Sequence, residues 1–382
     1  MKKNIFYLFI ILLTLSALIA CSKKNNLQNG SPQISGFAKI MGAISPESTE
    51  DGVYLFPSIY SKTGILSYWN FASETCVPLC SKVNCTHTDK TCDAWFENPA
   101  HGTLQKYQDK IYLWCGYQGS LALYSENLDG TGRKKVCGFS AKDRTGNWVD
   151  SSVVAGDFCY INMSFGQDRN GSDISGVYKI SLSDGTAKLI HMNNEDTTWS
   201  EHRLGDVVYD NGQVYYKITE YRTGEARSRV FEYNPIDETD TAIFETDAVI
   251  SHIIAENKLY YTKYKINNDK VFVVDLKNGT ETSFLVPFAG YLTYDGTYLY
   301  IMNTDDNYGI CAIFDLNGNL VDQIDDGFNE SYDYIYRTAI ADQIIFQGEN
   351  IMENSSTSTY HIINKSDIGK DQIPCHEAIF TN

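Results

Sequence analysis

Residues 253–287 read IIAENKLYYTKYKINNDKVFVVDLKNGTETSFLVP. Here Glu256-Asn257-Lys258 turns into Leu259-Tyr260-Tyr261, residues 266–269 loop, Val271 to Leu276 follows, and Lys277-Asn278-Gly279-Thr280 turns into residues 282–286. Short runs rich in β-branched and aromatic residues, bounded by Asn, Asp and Gly, are strands joined by hairpin turns. The stretch therefore predicts four short antiparallel strands.

The same pattern recurs in both directions along the chain. A tyrosine-containing run falls at Tyr54, Tyr112, Tyr160, Tyr215, Tyr260 and Tyr300, with Ile345 in the same place at the end. An independent landmark, the apolar residue before the second turn, falls at Phe71, Leu128, Leu182, Ile236, Leu276, Leu316 and Ile363. The two series keep step, at spacings of roughly 40 to 58 residues, and their plainest turns are Leu128-Asp129-Gly130-Thr131 and Leu182-Ser183-Asp184-Gly185-Thr186. Four strands in such a repeat form the blade of a β-propeller, where each small sheet covers its neighbours and ring closure removes exposed edges. The predicted fold class is all-β: a single propeller of four-stranded antiparallel blades over residues 37–382. Seven blades are expected, with six or eight as the alternatives, because the last unit is degraded around Ser355 to Thr359. Residues 34–44 are expected to supply the strand that closes the ring.

Composition agrees. The chain has 382 residues, 27 Tyr and 18 Phe against 8 Pro, which suits half-buried pleated sheets. Thirty-one Lys and Arg against 48 Asp and Glu leave a net charge of −17, a surface that repels nucleic acid and anionic lipid.

Residues 1–20 read as an export signal. Lys2 and Lys3 precede an uncharged apolar run from Ile5 to Ala20, shorter than the 20 or so residues of a bilayer-spanning helix. Leu18-Ile19-Ala20-Cys21 resembles a bacterial lipobox, which implies cleavage before Cys21 and its acylation with a fatty chain such as palmitate. Residues 21–36 follow as a flexible tether. With the lipobox, the tyrosine and Asp-Gly-Thr pattern and a cysteine-rich stretch, most of the mature chain resembles the propeller lipoproteins of Gram-positive anaerobes that carry a low-density-lipoprotein-receptor-related or TolB-like propeller domain. Tyr68-Trp69-Asn70-Phe71 is only a fragment of the receptor-type signature. The resemblance implies architecture and an extracytoplasmic, lipid-anchored address, and no biochemical activity.

Ten cysteines are present, four of them crowded with a histidine into Cys76, Cys80, Cys85, His87 and Cys92, within an insertion at residues 76–103 that precedes the second repeat at Leu104. The connection between consecutive blades lies where the channel opens, so the cluster is expected to border that mouth. Three readings remain open. Two disulfides among the four cysteines, ranked first, are the usual choice outside the cytoplasm. Cys80, Cys85, His87 and Cys92 would complete a tetrahedral Cys3His zinc site. Free thiols are the third. Cys115, Cys159 and Cys311 sit in apolar runs and read as small buried hydrophobes, and Cys137 and Cys375 carry no assigned role.

Other acids, such as Asp305-Asp306-Asn307, residues 322–326, Glu195-Asp196 and Asp237-Glu238, read as solvated turns. No nucleophile elbow, P-loop or dinucleotide fingerprint is present. The function expected is a monomeric, non-catalytic binding scaffold, held at the membrane by its lipid, that recognises a protein, peptide or glycan through loops at the channel mouth. A propeller hydrolase or lyase with channel carboxylates, or a metal sensor built on the cysteine loop, are the alternatives.

Overall fold

In the computed structural model the residues described are 47–49, 52–56, 63–73, 75–97, 104–117, 120–140, 148–167, 173–192, 201–222, 225–247, 249–263, 269–303, 310–324, 332–340, 343–350, 358–370 and 375–380. The tether, Cys21 and the expected closing strand at 34–44 lie outside them. Among the described residues every regular element but one short 3-10 turn, Lys365–Asp367, is a strand.

The fold-deciding stretch behaves as its sequence predicts. Strands β19 (Val249–Ala255), β20 (Lys258–Lys263), β21 (Lys270–Asp275) and β22 (Glu281–Leu285) form one antiparallel sheet in chain order. Glu256 and Asn257 both take positive φ, 52° and 60°, which is what a two-residue hairpin turn needs to match strand twist. The same order recurs in β7 (Leu104–Tyr107) to β10 (Lys134–Ser140), with β8 (Lys110–Tyr117) and β9 (Ser120–Asn127) between. It recurs again in β11 (Trp148–Ala155), β12 (Phe158–Gln167), β13 (Asp173–Ser181) and β14 (Ala187–Met192), and in β15 (Glu201–Asp210), β16 (Gln213–Arg222), β17 (Glu225–Asn234) and β18 (Thr239–Asp247). The series continues with β23 (Gly290–Tyr294), β24 (Leu299–Asn303), β25 (Cys311–Phe314) and β26 (Leu320–Ile324), then β27 (Tyr332–Ile340), β28 (Gln343–Asn350), β29 (Ser358–Asn364) and β30 (Cys375–Phe380).

The expectation of seven equivalent blades is corrected to six regular ones, each made of four strands consecutive in the chain. The N-terminal sheet is also four-stranded, but its order is β1 (Glu47–Thr49), β2 (Gly52–Leu55), β4 (Ser67–Asn70) and β5 (Thr75–Pro78). Strand β3 (Thr63–Ile65) leaves it to pair with β6 (Trp95–Glu97), through Gly64 opposite Phe96. Strand β1 lies beside both β7 and β27, so the two ends of the series meet.

Each core cluster among the described residues spans two successive sheets, as a propeller requires. Tyr54 and Phe56 pack with Ile111 and Leu113, Val153 and Tyr160 with Val214 and Tyr216, and Ile253 and Tyr260 with Leu292 and Ile301. Polar side chains fasten the same seams. Gln105 accepts from the Val154 amide at 2.8 Å, Ser151 from Val207 at 3.0 Å, and Ser251 from Leu292 at 3.1 Å. Strand length is uneven. In the sheets of β12 and β16 the second strands run ten residues, whereas β20 has six and β24 five.

Candidate metal centre

The chain leaves the outer strand of the N-terminal sheet at Pro78 and returns at β6, and the intervening loop has no strand of its own. Its base is fixed. Leu79 donates its amide to the Leu66 carbonyl, and Leu66 to that of Ala94, both at 2.8 Å. Leu79, Cys92, Ala94 and Phe96 are buried against Tyr54, Phe56 and Leu66 on one side and Leu104, Ile111 and Leu113 on the other. Arg133 completes the seam: its guanidinium lies 3.6 Å from the Phe96 ring centre, donates to the Trp95 carbonyl at 2.7 Å, and pairs with buried Glu126 at 2.7 Å. Burial pushes the Glu126 carboxyl up to about 7 despite that arginine.

The rest of the loop is shaped by local bonds. Asp89 accepts from the amide and hydroxyl of Thr91 at 2.8 and 2.6 Å, the Cys92 amide reaches the Asp89 carbonyl at 3.0 Å, and Lys82 pairs with Asp93 at 2.7 Å. Asn84 and His87 take left-handed backbone, φ 60° and 56°, and so turn the chain back on itself.

These turns bring one atom each of Cys80, Cys85, His87 and Cys92 to within 4.8 Å of one another, and the His87 Nδ1 lies 3.3 Å from the Cys92 Sγ. The cluster could hold a metal ion. Burial works against ionisation of Cys80, yet hydrogen bonds from the backbone of Lys82 and Asp93, and from the thiols of Cys92 and Cys85, hold its pKa below the ordinary thiol value. Cys92 is pushed the other way, to about 12, by burial first and by its two thiol neighbours second, against a hydrogen bond from the backbone at Ala94.

Cys76 does not join the cluster: it sits on β5 opposite Trp69, with Ser67 near its thiol, and burial lifts that thiol to about 11. Cys76, Cys80, Cys85 and Cys92 are all free, and three of them lie around the His87 imidazole. Cys115, Cys159 and Cys311 are buried hydrophobes, as their apolar runs indicate, with thiols pushed up by burial.

Several polar arrangements have no local sequence signal, because their members come from different strands. Glu220 is buried at 1% exposure and accepts from Arg227 at 2.6 Å and from Arg229 at 2.9 Å. Asp240 joins the His191 ring at 2.8 Å to the Tyr216 hydroxyl at 2.6 Å across two sheets. His252 is 1% exposed, with neither ring nitrogen bonded, and burial holds its pKa down at about 3. Asp237 and Glu238 form a surface turn as expected, with Glu238 reaching Lys179 and Lys188 of the preceding sheet.

No family model and no curated protein matches the chain. Solved structures match by fold. A structure from a study of two prolyl endopeptidases superposes with a TM-score of 0.58 at 11% identity, covering 90% of this chain and 51% of that one, so the chain spans about half the enzyme's length. TolB from Acinetobacter baumannii follows with 0.40, 14% identity and coverage of 70% and 61%, and a nidogen/laminin complex with 0.38, 12% identity and coverage of 67% and 81%. At these identities the likeness concerns the fold: the chain is a β-propeller of small four-stranded antiparallel sheets.

Proposed function

We propose that the protein is a lipid-anchored, extracytoplasmic binding scaffold that recognises a protein partner through the loop between β5 and β6. The observation that carries this reading is Val83. It lies within that loop with 87% of its surface exposed, while the loop's base is packed into the core. An apolar side chain held out on a loop anchored at its base presents contact area to a partner. Val77, on the adjoining outer strand, is 52% exposed. Among the described residues the buried acids Glu126, Glu220 and Asp295 are each paired with a cation, which favours this reading over carboxylate catalysis. The lipobox at Cys21 supports the anchor, and zinc is the cofactor that suits the Cys/His cluster.

A photo-reactive amino acid placed at position 83 in the membrane-held protein tests the reading. A discrete cross-linked protein adduct is expected there, and none from position 236, where Ile236 is exposed to 86% on a regular turn. Equal labelling from both positions would defeat it.

A further inference from the structure

We infer that Cys80, Cys85, His87 and Cys92 bind one zinc ion as a closed, four-ligand clasp that fixes the loop, with no coordination position left for a substrate. The reading stands whether or not Val83 meets a partner.

The donor set comes first. Three thiolates and one imidazole match the soft-to-borderline preference of zinc, and four protein ligands mark a structural site. The geometry follows. With bonds of about 2.3 Å to sulfur and 2.1 Å to nitrogen, ligand atoms on a tetrahedron stand about 3.5 to 3.8 Å apart. The four atoms already lie within 4.8 Å of one another, so each moves about half an ångström or less to close on an ion. No backbone rearrangement is needed.

The surroundings suit the ion. Hydrogen bonds from the backbone of Lys82, Asp93 and Ala94 point at the sulfurs of Cys80 and Cys92. Such bonds orient thiolate ligands and spread their charge. Zinc with three thiolates and a neutral imidazole carries a net −1, and Lys82 stands beside that charge, steered by its bond to Asp93. Binding releases the three thiol protons to solvent.

The need for an ion is also visible. Residues 80–92 contain no strand, and of them Cys92 alone is buried. Two residues in left-handed backbone, Asn84 and His87, cost about 1 kcal/mol or more each unless the surroundings hold them. A clasp joining Cys80, beside the outer strand, to Cys92, beside the seam, supplies that hold.

The test uses the full chain purified in reductant, stripped with a chelator and reloaded with zinc or cobalt alone. Uptake of one ion per chain is expected, with cobalt giving thiolate charge-transfer bands and the visible absorption of a tetrahedral site. Thiol alkylation should spare Cys80, Cys85 and Cys92 until chelator is added, while Cys76 reacts at the same rate in both states. His87→Ala and Cys85→Ser should each weaken zinc binding by about tenfold or more, and Cys76→Ser should leave it unchanged. His87→Cys, which keeps four ligands, should restore it and keeps the test readable where the alanine variant folds poorly. Absence of one-to-one uptake in the folded wild type, or a Cys76→Ser loss as large as that of Cys85→Ser, overturns the clasp. A metal-loaded protein that gives no adduct from position 83 would leave the clasp standing and sink only the partner reading.

Discussion

The hydroxyl of Tyr260 donates to the main-chain carbonyl of Leu316 at 3.1 Å, and Tyr54 makes the same bond to Leu128 at 3.2 Å. In both pairs the tyrosine sits on the second strand of one sheet and the carbonyl at the turn between the third and fourth strands of the next. In these two pairs the sequence landmarks form the two halves of one inter-sheet clamp. Burial keeps both phenols protonated, with pKa values raised to about 12, so they remain donors.

Tyr54→Phe and Tyr260→Phe should each cost about 1 kcal/mol, the net worth of one hydrogen bond whose acceptor is left behind. The two clamps fasten different seams, so the double variant should lose close to the sum. Urea midpoints at constant m-value give the comparison. A double loss no larger than either single one would show that the clamps do not act separately.

Gly130 of the Leu128-Asp129-Gly130-Thr131 turn takes φ +80°, and a Cβ there would stand 2.1 Å from the Leu79 carbonyl oxygen at the base of the cysteine loop. Gly212 takes a similar φ of +87° with nothing within 4 Å. Gly212→Ala should therefore cost only the backbone penalty, about 1 kcal/mol, and Gly130→Ala clearly more. Thermal unfolding of the two variants separates backbone strain from the close approach of loop and second sheet. Equal losses would mean that the seam yields freely.

His252 and Glu126 give stability opposite dependences on pH. Burial, aided by Lys217, lowers the His252 pKa from 6.5 to about 3, so its share of stability is present above pH 6.5 and is lost as pH falls toward 3. Burial raises Glu126 from 4.5 to about 7, so its share is present below pH 4.5 and is lost as pH rises through 7. Between 4.5 and 6.5 the two slopes oppose. Glu126→Gln should leave stability falling on acidification by up to about 1.4 kcal/mol per pH unit, and His252→Gln should reverse the sign. Denaturant midpoints measured across that window read the slopes. The same slope in both variants would remove these two groups as the cause.

Cys21→Ala should release the protein from membranes or leave its signal uncut, since the acyl chain needs that thiol. Membrane fractionation and intact mass of the wild type and the variant decide this. Equal membrane retention would remove the lipid anchor from the proposed function.

Much of the ring is legible because its signals are local. All of the tyrosine-run landmarks, with Ile345, fall on the second strand of their own sheet, and Asn257 and Gly279 fall in turns that require positive φ. The irregular first sheet is not legible. The pairing of β3 with β6 joins residues some thirty positions apart, and nothing in Thr63-Gly64-Ile65 announces Trp95 to Glu97. The cysteine cluster is half legible. Its four-residue set, Cys80, Cys85, His87 and Cys92, is plain, but the left-handed turns at Asn84 and His87 that gather it are not announced by spacing alone. Glu126, Glu220 and His252 stand among apolar strand residues, and their partners, or lack of them, follow from tertiary packing.

Uneven strand length gives the ring a skyline. Counted from the hairpin turn at Asn211-Gly212, β16 continues four residues further than β20 does from Glu256-Asn257, about 13 Å at the rise of an extended chain. The tenth residue of β12 carries the neighbouring sheet to the same height. That added length is stiffened inside by Glu220 and its two arginines. The far ends of β16 and β17 are therefore joined by charge as well as by the strand ladder, and the reach of this sheet depends on both.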